Sequence, residues 1–288
     1  MTMRMRVSIV IPVHNEEDMI GPCLDAILGQ TIPADEVIVV DNNSTDSTGD
    51  RLMEHEGRVV VLSEPRQGVC FARNTGFDAA TGDVIGRIDA DTRLPPVWIE
   101  QIQAIFADST VQAATGPTRY YDILLPRLVA RLDLLLRTAW ARSGRQQLDW
   151  VYGANMAIRG SAWRAVRPLL CEVQGVHEDV DLGIHLYQSG ERVVFSPTLV
   201  ASTSARRIRD SFPSFRAYLA MTERGYSTHP GLAHSNAYRR AWLTARLILI
   251  CYFPLHFLHR ACLPNNQRLS LRALRTAVVP RKNPMSGS

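Results

Sequence analysis

Lysine and cysteine are both scarce in this sequence. Lys282 is the single lysine among the 32 lysine and arginine residues, so arginine carries almost all of the positive charge. The five cysteines are scattered and form no Cys-x-x-Cys pair. We therefore expect neither a disulfide framework nor a zinc site, and we infer a reducing compartment. No P-loop occurs, and no Gly-x-Gly-x-x-Gly follows the first apolar run, which argues against a dinucleotide oxidoreductase.

Long uncharged apolar segments are also missing. Residues 1–6 are charged and lead directly into a strand pattern, without the apolar segment and cleavage site of a signal peptide. The most apolar stretch, residues 241–263, is interrupted by Arg246, Arg260 and Pro254, whereas a membrane-spanning helix needs about 20 almost uncharged residues. We predict a helix that either inserts at a membrane interface or packs on the domain or on a second copy of the chain.

The charge is distributed unevenly along the chain. Residues 206–288 contain 14 basic and two acidic residues, a balance of +12; the whole chain carries +4, which leaves −8 for the first 205 residues. Such an extension is expected to face an anionic surface, and a solvated arginine-rich helix face is the alternative. No RNA-binding signature and little aromatic interleaving accompany the arginines, so we expect a membrane surface and no nucleic acid.

Apolar runs and helical patterns alternate through the first half of the chain. Strands are predicted at residues 7–13, 36–41, 58–62 and 84–89, and helices at 16–30, from about 44, at 69–80 and at 95–106. This βαβα order is typical of a doubly wound, mostly parallel sheet. The second half is less regular, with helices predicted at 124–142 and 179–188 and strands at 150–158, 192–195 and 199–203.

The most informative motif is Asp89-Ala90-Asp91, which follows the apolar run 84–88. Side chains two residues apart in a strand point to the same face, so both carboxylates are expected at the carboxyl end of a buried strand. Ligands of open α/β sheets bind at that edge, and two carboxylates there suit a divalent cation that holds a diphosphate. A polar turn after a strand is the simpler alternative.

Other polar groups are expected near the same edge. Residues 12–16 follow the first strand and residues 41–46 follow the second, so Asp41 could accept hydrogen bonds from a base or a ribose, although such residues are also ordinary turn formers. Arg73 could pair with phosphate through its planar guanidinium. Acidic residues 178–181 begin a helix, where the dipole favours them, and one of them could take a proton from an attacking hydroxyl.

These blocks, in this order and spacing, resemble the large inverting glycosyltransferase family 2. The similar segments lie between residue 6 and about residue 195: VSIVIPVHNEE, EVIVVDNNSTDST, GVCFARNTGFDAATGDVIGRIDAD, YGANMAIRGSAW and HEDVDLGIHLYQSG. The resemblance implies an α/β fold of the GT-A type, an open, mostly parallel twisted sheet flanked by helices. It also implies a catalytic domain over 1–205, with a nucleotide-sugar half to about 115 and an acceptor half from 116, and a basic, mainly helical extension over 206–288.

The resemblance further implies roles for individual residues. On the donor side, Pro12, Asn15 and Glu16 would shape the nucleotide pocket, Asp41 would read the base or ribose, and Arg73 would support the base or diphosphate end. In the motif formed by Asp89, Ala90 and Asp91, Asp89 would lie nearer the ribose and Asp91 on the Mn²⁺ or Mg²⁺ that bridges the diphosphate. His14 and Asn42 stand where the family often has aromatic and acidic residues, which leaves the nucleotide preference open.

On the acceptor side, the resemblance makes Asp179 the catalytic base. Residues Tyr152, Gly153, Ala154, Asn155 and Glu178 would line the acceptor. Three arginines of the extension, Arg206, Arg207 and Arg209, suit a departing diphosphate or anionic lipid headgroups, with a solvated basic loop as the alternative.

The predicted function is metal-dependent, inverting transfer of a sugar from a nucleoside-diphosphate sugar to an acceptor hydroxyl, in glycan, polysaccharide or glycolipid synthesis. The acceptor would be a saccharide or a lipid-linked molecule, and the protein would be cytoplasmic and peripheral on the inner face of a membrane. The sugar, the base, the acceptor and the oligomeric state stay open. Two alternatives remain: a polyprenyl-phosphate glycosyltransferase, whose phosphate acceptor needs no base at Asp179, and a non-catalytic GT-A binding protein.

Overall fold

The computed structural model describes residues 4–123, 125–143, 148–173, 175–233 and 235–262. The strands in these ranges are β1 (Val7–Val13), β2 (Glu36–Asp41), β3 (Val60–Ser63), β4 (Val84–Arg87), β5 (Ala113–Thr115), β6 (Thr118–Tyr120), β7 (Met156–Arg159), β8 (Val193–Phe195) and β9 (Ala201–Thr203). The α-helices are α1 (Ile20–Leu28), α2 (Thr48–Met53), α3 (Val69–Ala79), α4 (Trp98–Phe106), α5 (Pro126–Ser143), α6 (Gly160–Val166), α7 (Glu178–Gln188), α8 (Phe212–Thr228) and α9 (Asn236–Cys262). Short 3-10 turns lie at Arg167–Leu169 and Arg206–Arg209.

The central sheet has seven strands in the order β3-β2-β1-β4-β7-β5-β8. Strands β1 to β4 pair in parallel, and β7 runs antiparallel to its neighbours β4 and β5. The order reverses between β1 and β4, and open α/β sheets form their ligand crevice at such a point, beyond the carboxyl ends of the strands. The predicted mostly parallel α/β sheet is therefore confirmed.

Helices cover both faces of this sheet, which explains why β1 is apolar at almost every position. Ile9 and Ile11 belong to a core cluster on the face covered by α1 and α4. Val10 points to the other face and packs with Phe77 of α3. A Cβ atom at Gly76 would lie 2.4 Å from a methyl group of Val10, so the glycine lets α3 approach the sheet closely.

Most element boundaries differ from the sequence prediction by a few residues. The predicted helices at 16–30 and 95–106 begin later, at Ile20 and Trp98; a polar loop precedes the first, and Pro95, Pro96 and Val97 precede the second. The predicted strand 150–158 shrinks to β7, since the preceding residues form a loop that Asn155 anchors to the backbone carbonyls of Pro117 and Leu199. The three-residue strands β5 and β6 were not predicted.

The segment after residue 205 is helical as far as it is described. Helix α8 packs against α7 through a small apolar cluster that includes Val180, Ile184 and Tyr226. Helix α9 contains Pro254. Among the described helices, none is both long enough and apolar enough to cross a membrane. The predicted domain boundary at residue 205 stays a prediction, and residues 263–288 lie outside the described part of the chain.

Candidate active site

Three loops meet at the carboxyl edge of the sheet and form a polar crevice, bounded by residues 14–17, 42–48 and 88–92. The first two loops are joined by hydrogen bonds. The backbone N–H of Asn15 donates to the Ser44 hydroxyl at 3.1 Å, and the N–H of Glu16 donates to the Thr48 hydroxyl at 2.8 Å. Asn15 itself is held at φ 54°, and its side-chain oxygen accepts from the N–H of Thr45 at 2.7 Å.

Two polar residues at the end of β2 hold the loops beside the crevice. One carboxylate oxygen of Asp41 accepts from the N–H of Ser44 at 3.1 Å. Asn42 is buried, and its amide donates to the carbonyls of Glu64 and Arg66 while its oxygen accepts from the N–H of Gly68 at 2.7 Å. The side chain of Asn42 therefore ties the loop after β2 to the loop between β3 and α3. Pro12 lies half-buried within β1, opposite Val40 of β2.

The two aspartates after β4 both reach the crevice. Asp89 is half-exposed and Asp91 is 7 % exposed, with the buried Ala90 between them. One oxygen of Asp91 accepts from the Thr203 hydroxyl at 2.8 Å, and the other lies 3.1 Å from Nε of Arg206. The two Nη atoms of the same arginine donate to both oxygens of Glu16 at 2.5 Å.

This crevice concentrates negative charge. Burial, with the charges of Asp89 and Glu16, raises the pKa of Asp91 to about 6, although Arg206 and the Thr203 hydroxyl oppose the shift. Burial alone would lower the pKa of Arg206, but its bonds to Glu16 and Asp91 raise it overall. Clustered carboxylate oxygens of this kind are hard ligands, and they fit Mn²⁺ or Mg²⁺.

Arg87 is a site residue that the sequence analysis missed. Its buried guanidinium pairs with Asp89 at 3.0 Å and with Glu178 at 2.9 Å, so it joins the end of β4 to the start of α7. Burial lowers its pKa, but these charges, together with Asp179, raise it overall. Its Nε has no hydrogen-bond partner among the described residues. The signal was present, because a charged residue inside an apolar strand is rarely buried without a partner.

Asp179 lies beside this bridge, at the start of α7. Its carboxylate is half-buried and accepts from the N–H of Gly153 and from the N–H of Val180, each at 2.8 Å. A Cβ atom at position 153 would lie 1.2 Å from Nη1 of Arg87, so any other residue there would displace the guanidinium from this position. Gly153, Glu178 and Asp179 are therefore brought together with Arg87, beside Asp89.

Two predicted site residues point into the interior instead. Arg73 is 2 % exposed, donates to the Glu178 carbonyl at 3.3 Å and stacks between aromatic rings of α3 and α6, and burial lowers its pKa. It supports the start of α7 and does not line the crevice. Asn155 is fully buried, accepts from Trp98 Nε1 at 2.9 Å and donates to two backbone carbonyls. Its amide has no group left for an acceptor.

The other predicted site residues are Tyr152, Ala154 and the three arginines after β9. Tyr152 is half-buried, with the Arg137 guanidinium 4.7 Å from its ring centre. The carbonyl of buried Ala154 lies 3.5 Å from the Thr92 hydroxyl. Of the three arginines after β9, only Arg206 is shown in the crevice; Arg207 stacks on Tyr218 at 4.1 Å, and Arg209 is exposed.

Sequence comparisons relate this chain to glycosyltransferases. The family description "Glycosyl transferase family 2" matches residues 8–162. The Probable glycosyltransferase YdaM of Bacillus subtilis is 29% identical over 211 residues, which are 68% of this chain and 50% of that protein. The Poly(ribitol-phosphate) beta-glucosyltransferase of Bacillus spizizenii is 40% identical over 94 residues, which are 30% of this chain and 15% of that protein. The chain thus spans half or less of the curated relatives that it matches.

Two solved structures share the fold. The mannosyltransferase PcManGT from Pyrobaculum calidifontis, in complex with GDP-Man and Mn²⁺, aligns with a TM-score of 0.66 and 21% identity over 96% of this chain and 80% of that one. Glucosyl-3-phosphoglycerate synthase from Mycobacterium tuberculosis, with Mn²⁺, UDP-glucose and phosphoglyceric acid, aligns with a TM-score of 0.53 and 18% identity over 77% and 80% of the two chains. The protein therefore has the GT-A fold.

Proposed function

Because the chain belongs to glycosyl transferase family 2, we propose that it transfers a sugar from a nucleoside-diphosphate sugar to an acceptor hydroxyl with inversion at the anomeric carbon. The observation that carries the proposal is the arrangement around Arg87, which links Asp89 to Glu178 and lies against Gly153. A donor-side carboxylate and the carboxylate of Asp179 thereby face one crevice. Its products would be glycans, polysaccharides or glycolipids.

On the donor side, Asp91 and Asp89 would hold Mn²⁺ or Mg²⁺. When bound, the cation would neutralise negative charge on the diphosphate. Arg206 already lies within 3.1 Å of Asp91 and 2.5 Å of Glu16, so its guanidinium is placed to contact phosphate oxygens and to stabilise the departing diphosphate. The related structures contain GDP-Man or UDP-glucose with Mn²⁺, which supports this donor class and leaves the base open.

On the acceptor side, Asp179 would act as the general base. Its two hydrogen bonds from backbone N–H groups fix the orientation of the carboxylate. The carboxylate takes the proton of the acceptor hydroxyl while that oxygen attacks the anomeric carbon from the face opposite the diphosphate. The bond from the anomeric carbon to the diphosphate breaks in the same step, its electron pair leaves with the diphosphate, and an α-linked donor gives a β-linked product.

A second candidate is transfer to an acceptor that is already a phosphate, such as a polyprenyl phosphate. The observation that favours it is a cleft of about 400 Å³ lined by three arginines, Arg119, Arg127 and Arg131. An ionised phosphate oxygen is a nucleophile without a base, so this reaction would not depend on Asp179. The two candidates therefore differ in what the loss of the Asp179 carboxylate does.

We also propose that the helical segments attach the protein peripherally to an anionic membrane surface on the cytoplasmic side. Helix α9 exposes Trp242, Leu247, Ile250 and Phe253, and the segment from residue 206 carries a large excess of arginine. Amphipathic attachment needs both an apolar face and basic residues. Deleting residues 241–288 should release the protein from vesicles that contain anionic lipid, and unchanged co-sedimentation would contradict the proposal.

The donor proposal is tested by thermal unfolding with UDP-, GDP- and dTDP-sugars, each with and without Mn²⁺. A ligand that binds the folded state only should raise the midpoint by about 5–10 °C at a hundredfold excess over Kd. We expect a metal-dependent rise for one nucleotide class and its loss in Asp91→Asn. If no nucleotide sugar raises the midpoint under either condition, the chain does not bind this donor class and the non-catalytic alternative gains.

A further inference from the structure

A second cluster of polar side chains lies against α7, separate from the crevice. It consists of Cys171, Asp181, His185 and His229, and one ligand atom from each lies within 4.8 Å of all the others. We call these residues the four-residue cluster. Asp181, His185 and His229 are 2 %, 9 % and 4 % exposed. Neither the donor chemistry nor the acceptor chemistry of the proposed reaction uses any of them.

The cluster is assembled from three parts of the chain. Asp181 and His185 are one turn apart and therefore share a face of α7. Cys171 comes from the segment before α7, and His229 directly follows α8. Because each residue of an α-helix turns by about 100°, Asp181 lies roughly 200° around the helix from Asp179. The two acidic residues thus serve different sides of α7.

The atoms that converge are electron donors. His229 donates through Nδ1 to the Gly225 carbonyl at 2.6 Å, and this bond leaves Nε2 with its lone pair in the neutral ring. That nitrogen lies 3.2 Å from Nε2 of His185 and 3.1 Å from Oδ1 of Asp181. Oδ1 of Asp181 is buried and has no partner among the described residues other than these two imidazole nitrogens. Such a group of lone pairs requires a cation or additional protons at its centre.

Five of the six distances between the ligand atoms are close to the edges of a tetrahedral metal site, and the sixth, from Sγ of Cys171 to the carboxylate of Asp181, is at most 4.8 Å. Zinc bonds to nitrogen and sulfur of about 2.0–2.3 Å imply about 3.3 Å between two nitrogens and about 3.6 Å between sulfur and nitrogen. The two Nε2 atoms are 3.2 Å apart, and Sγ of Cys171 lies 3.5 Å from Nε2 of His185 and 3.8 Å from Nε2 of His229. Oδ1 of Asp181 lies 3.5 Å from Nε2 of His185.

The surrounding contacts orient these ligands as they do in protein metal sites. The Gly225 carbonyl fixes the ring of His229, and the N–H of Cys171 donates to Oδ2 of Asp181 at 3.1 Å, which turns the other carboxylate oxygen to the centre. Metal-binding histidines and carboxylates almost always have such supporting hydrogen bonds. One thiolate, two imidazoles and one carboxylate form a closed set of four ligands, each of a type that zinc accepts, and the set is unlike the all-oxygen sites of Mg²⁺.

We propose that Cys171, Asp181, His185 and His229 bind one Zn²⁺ ion that ties the end of α8 and the segment before α7 to α7 itself. The ion would replace the protons of the thiol and of the imidazoles. It would hold in place the helix that begins with Glu178 and Asp179, without touching substrate. The expectation of no zinc site considered only paired cysteines, and this cluster contains a single cysteine.

The first test uses the full chain. Purified protein is stripped with a chelator, equilibrated with Zn²⁺, desalted and assayed for metal, and the same protein is titrated with Co²⁺. We expect about one zinc ion per chain, and visible Co²⁺ bands of tetrahedral intensity with a sulfur-to-metal charge-transfer band. The midpoint of thermal unfolding should fall on stripping and recover with Zn²⁺. A folded chain that retains no zinc and gives only octahedral Co²⁺ spectra would overturn the proposal.

Variants then assign the site. Cys171→Ser should lose the charge-transfer band, and His229→Gln should reduce bound zinc to less than about a tenth of an ion per chain. Two matched controls, Cys70→Ser and His55→Gln, change a half-buried cysteine and a buried histidine elsewhere and should bind zinc like the parent. Asp91→Asn should also keep its zinc. If Asp91→Asn loses its zinc while His229→Gln keeps it, the ion lies in the crevice and the proposal is contradicted. If a cluster variant fails to fold, the Zn²⁺ and Co²⁺ titrations of the parent protein decide.

Discussion

Helix α7 contributes to two polar regions that neutralise their acidic residues in different ways. At the first residue of the helix, Glu178 pairs with the guanidinium of Arg87. One turn further along, Asp181 faces the imidazoles of His185 and His229. A guanidinium keeps its charge at any ordinary pH, whereas an imidazole can release its proton and offer a lone pair. The positive charge beside the crevice is therefore fixed, whereas the imidazoles of the four-residue cluster can lose their protons and bind a metal ion.

The two regions also shift carboxylate pKa values in opposite directions. Burial beside Asp89 and Glu16 raises the pKa of Asp91 to about 6. Burial would raise the pKa of Asp181 as well, but hydrogen bonds from His185 and His229 lower it to about 2. Negative charge is thus under-compensated in the crevice and well compensated in the cluster as long as the imidazoles carry protons. A cation added to the crevice should therefore reduce the repulsion between its carboxylates. A cation that binds the four-residue cluster must displace protons from the imidazoles.

The largest expected effect is on the crevice side of α7. Asp179→Asn keeps the shape of the side chain but removes the base, so we expect the transfer rate to fall by about 10²–10⁴-fold. Donor binding should change little, because the donor carboxylates lie across the Arg87 bridge. Both quantities are measured on the same preparation, the rate by product formation and the binding by the nucleotide-dependent rise of the unfolding midpoint.

A matched control is Asp50→Asn, which removes an exposed carboxylate from α2 and should leave both quantities unchanged. If Asp179→Asn transfers sugar at the parent rate, the base assignment is wrong. The crevice would then be supported as a donor-binding site only, and the phosphate-acceptor candidate, which needs no base, would be favoured.

The next effect concerns the bridge that joins donor and acceptor sides. In Gly153→Ala the new methyl group would lie 1.2 Å from Nη1 of Arg87, so the buried guanidinium must shift and its contacts with Asp89 and Glu178 should weaken. We expect a loss of about 1–3 kcal/mol in the free energy of unfolding, which is typical of overpacking, together with slower transfer. Chemical denaturation and product formation measure the two effects.

The control for this substitution is Gly21→Ala on α1, where a Cβ atom would meet nothing within 4 Å. Alanine is favoured over glycine within a helix by about 1 kcal/mol, so this variant should be as stable as the parent or more stable. If Gly153→Ala is equally harmless, Arg87 can move without cost and the bridge does not define the crevice.

Much of the crevice could be predicted from the sequence because its residues directly follow strands. Strand alternation predicts that Asp89 and Asp91 lie at the edge of the sheet. The parallel arrangement of β1, β2 and β4 brings the loops that follow these strands together. The interior positions of Arg73 and Asn155 could not be predicted, since a side chain that points inward and one that points to the crevice have the same sequence signal. Partners that hold them inside are distant along the chain: the Glu178 carbonyl lies 105 residues from Arg73, and the Leu199 carbonyl lies 44 residues from Asn155.

The four-residue cluster was missed for a related reason. The spacing of Asp181 and His185 is visible on a predicted helix, but two residues do not make a metal site. Cys171 comes from a segment without regular structure, and His229 lies 44 residues after His185. Only the packing of α8 on α7 brings these groups together. Paired-cysteine patterns detect zinc sites built from local ligands, and sites completed by a tertiary contact escape them.

The smallest expected effect concerns the excess negative charge of the crevice and is measured in metal-free protein. A folded-state pKa raised from 3.8 to about 6 means that the stability contributed by Asp91 is fully present below pH 3.8 and is lost as the pH rises through 6. The difference in unfolding free energy between the parent and Asp91→Asn should therefore shift by about 1 kcal/mol against the parent from pH 5 to pH 7. Urea unfolding with a chelator measures it, and the chelator treats the four-residue cluster equally in both proteins.

Hydrogen bonds from Arg66, foremost, and from Thr75 lower the pKa of Glu64 to about 2 although burial opposes them, so Glu64→Gln should show a constant difference over the same range. A constant difference for Asp91→Asn as well would mean that its carboxylate is already neutralised by Arg206, and the crevice would then have no excess charge for a cation to relieve.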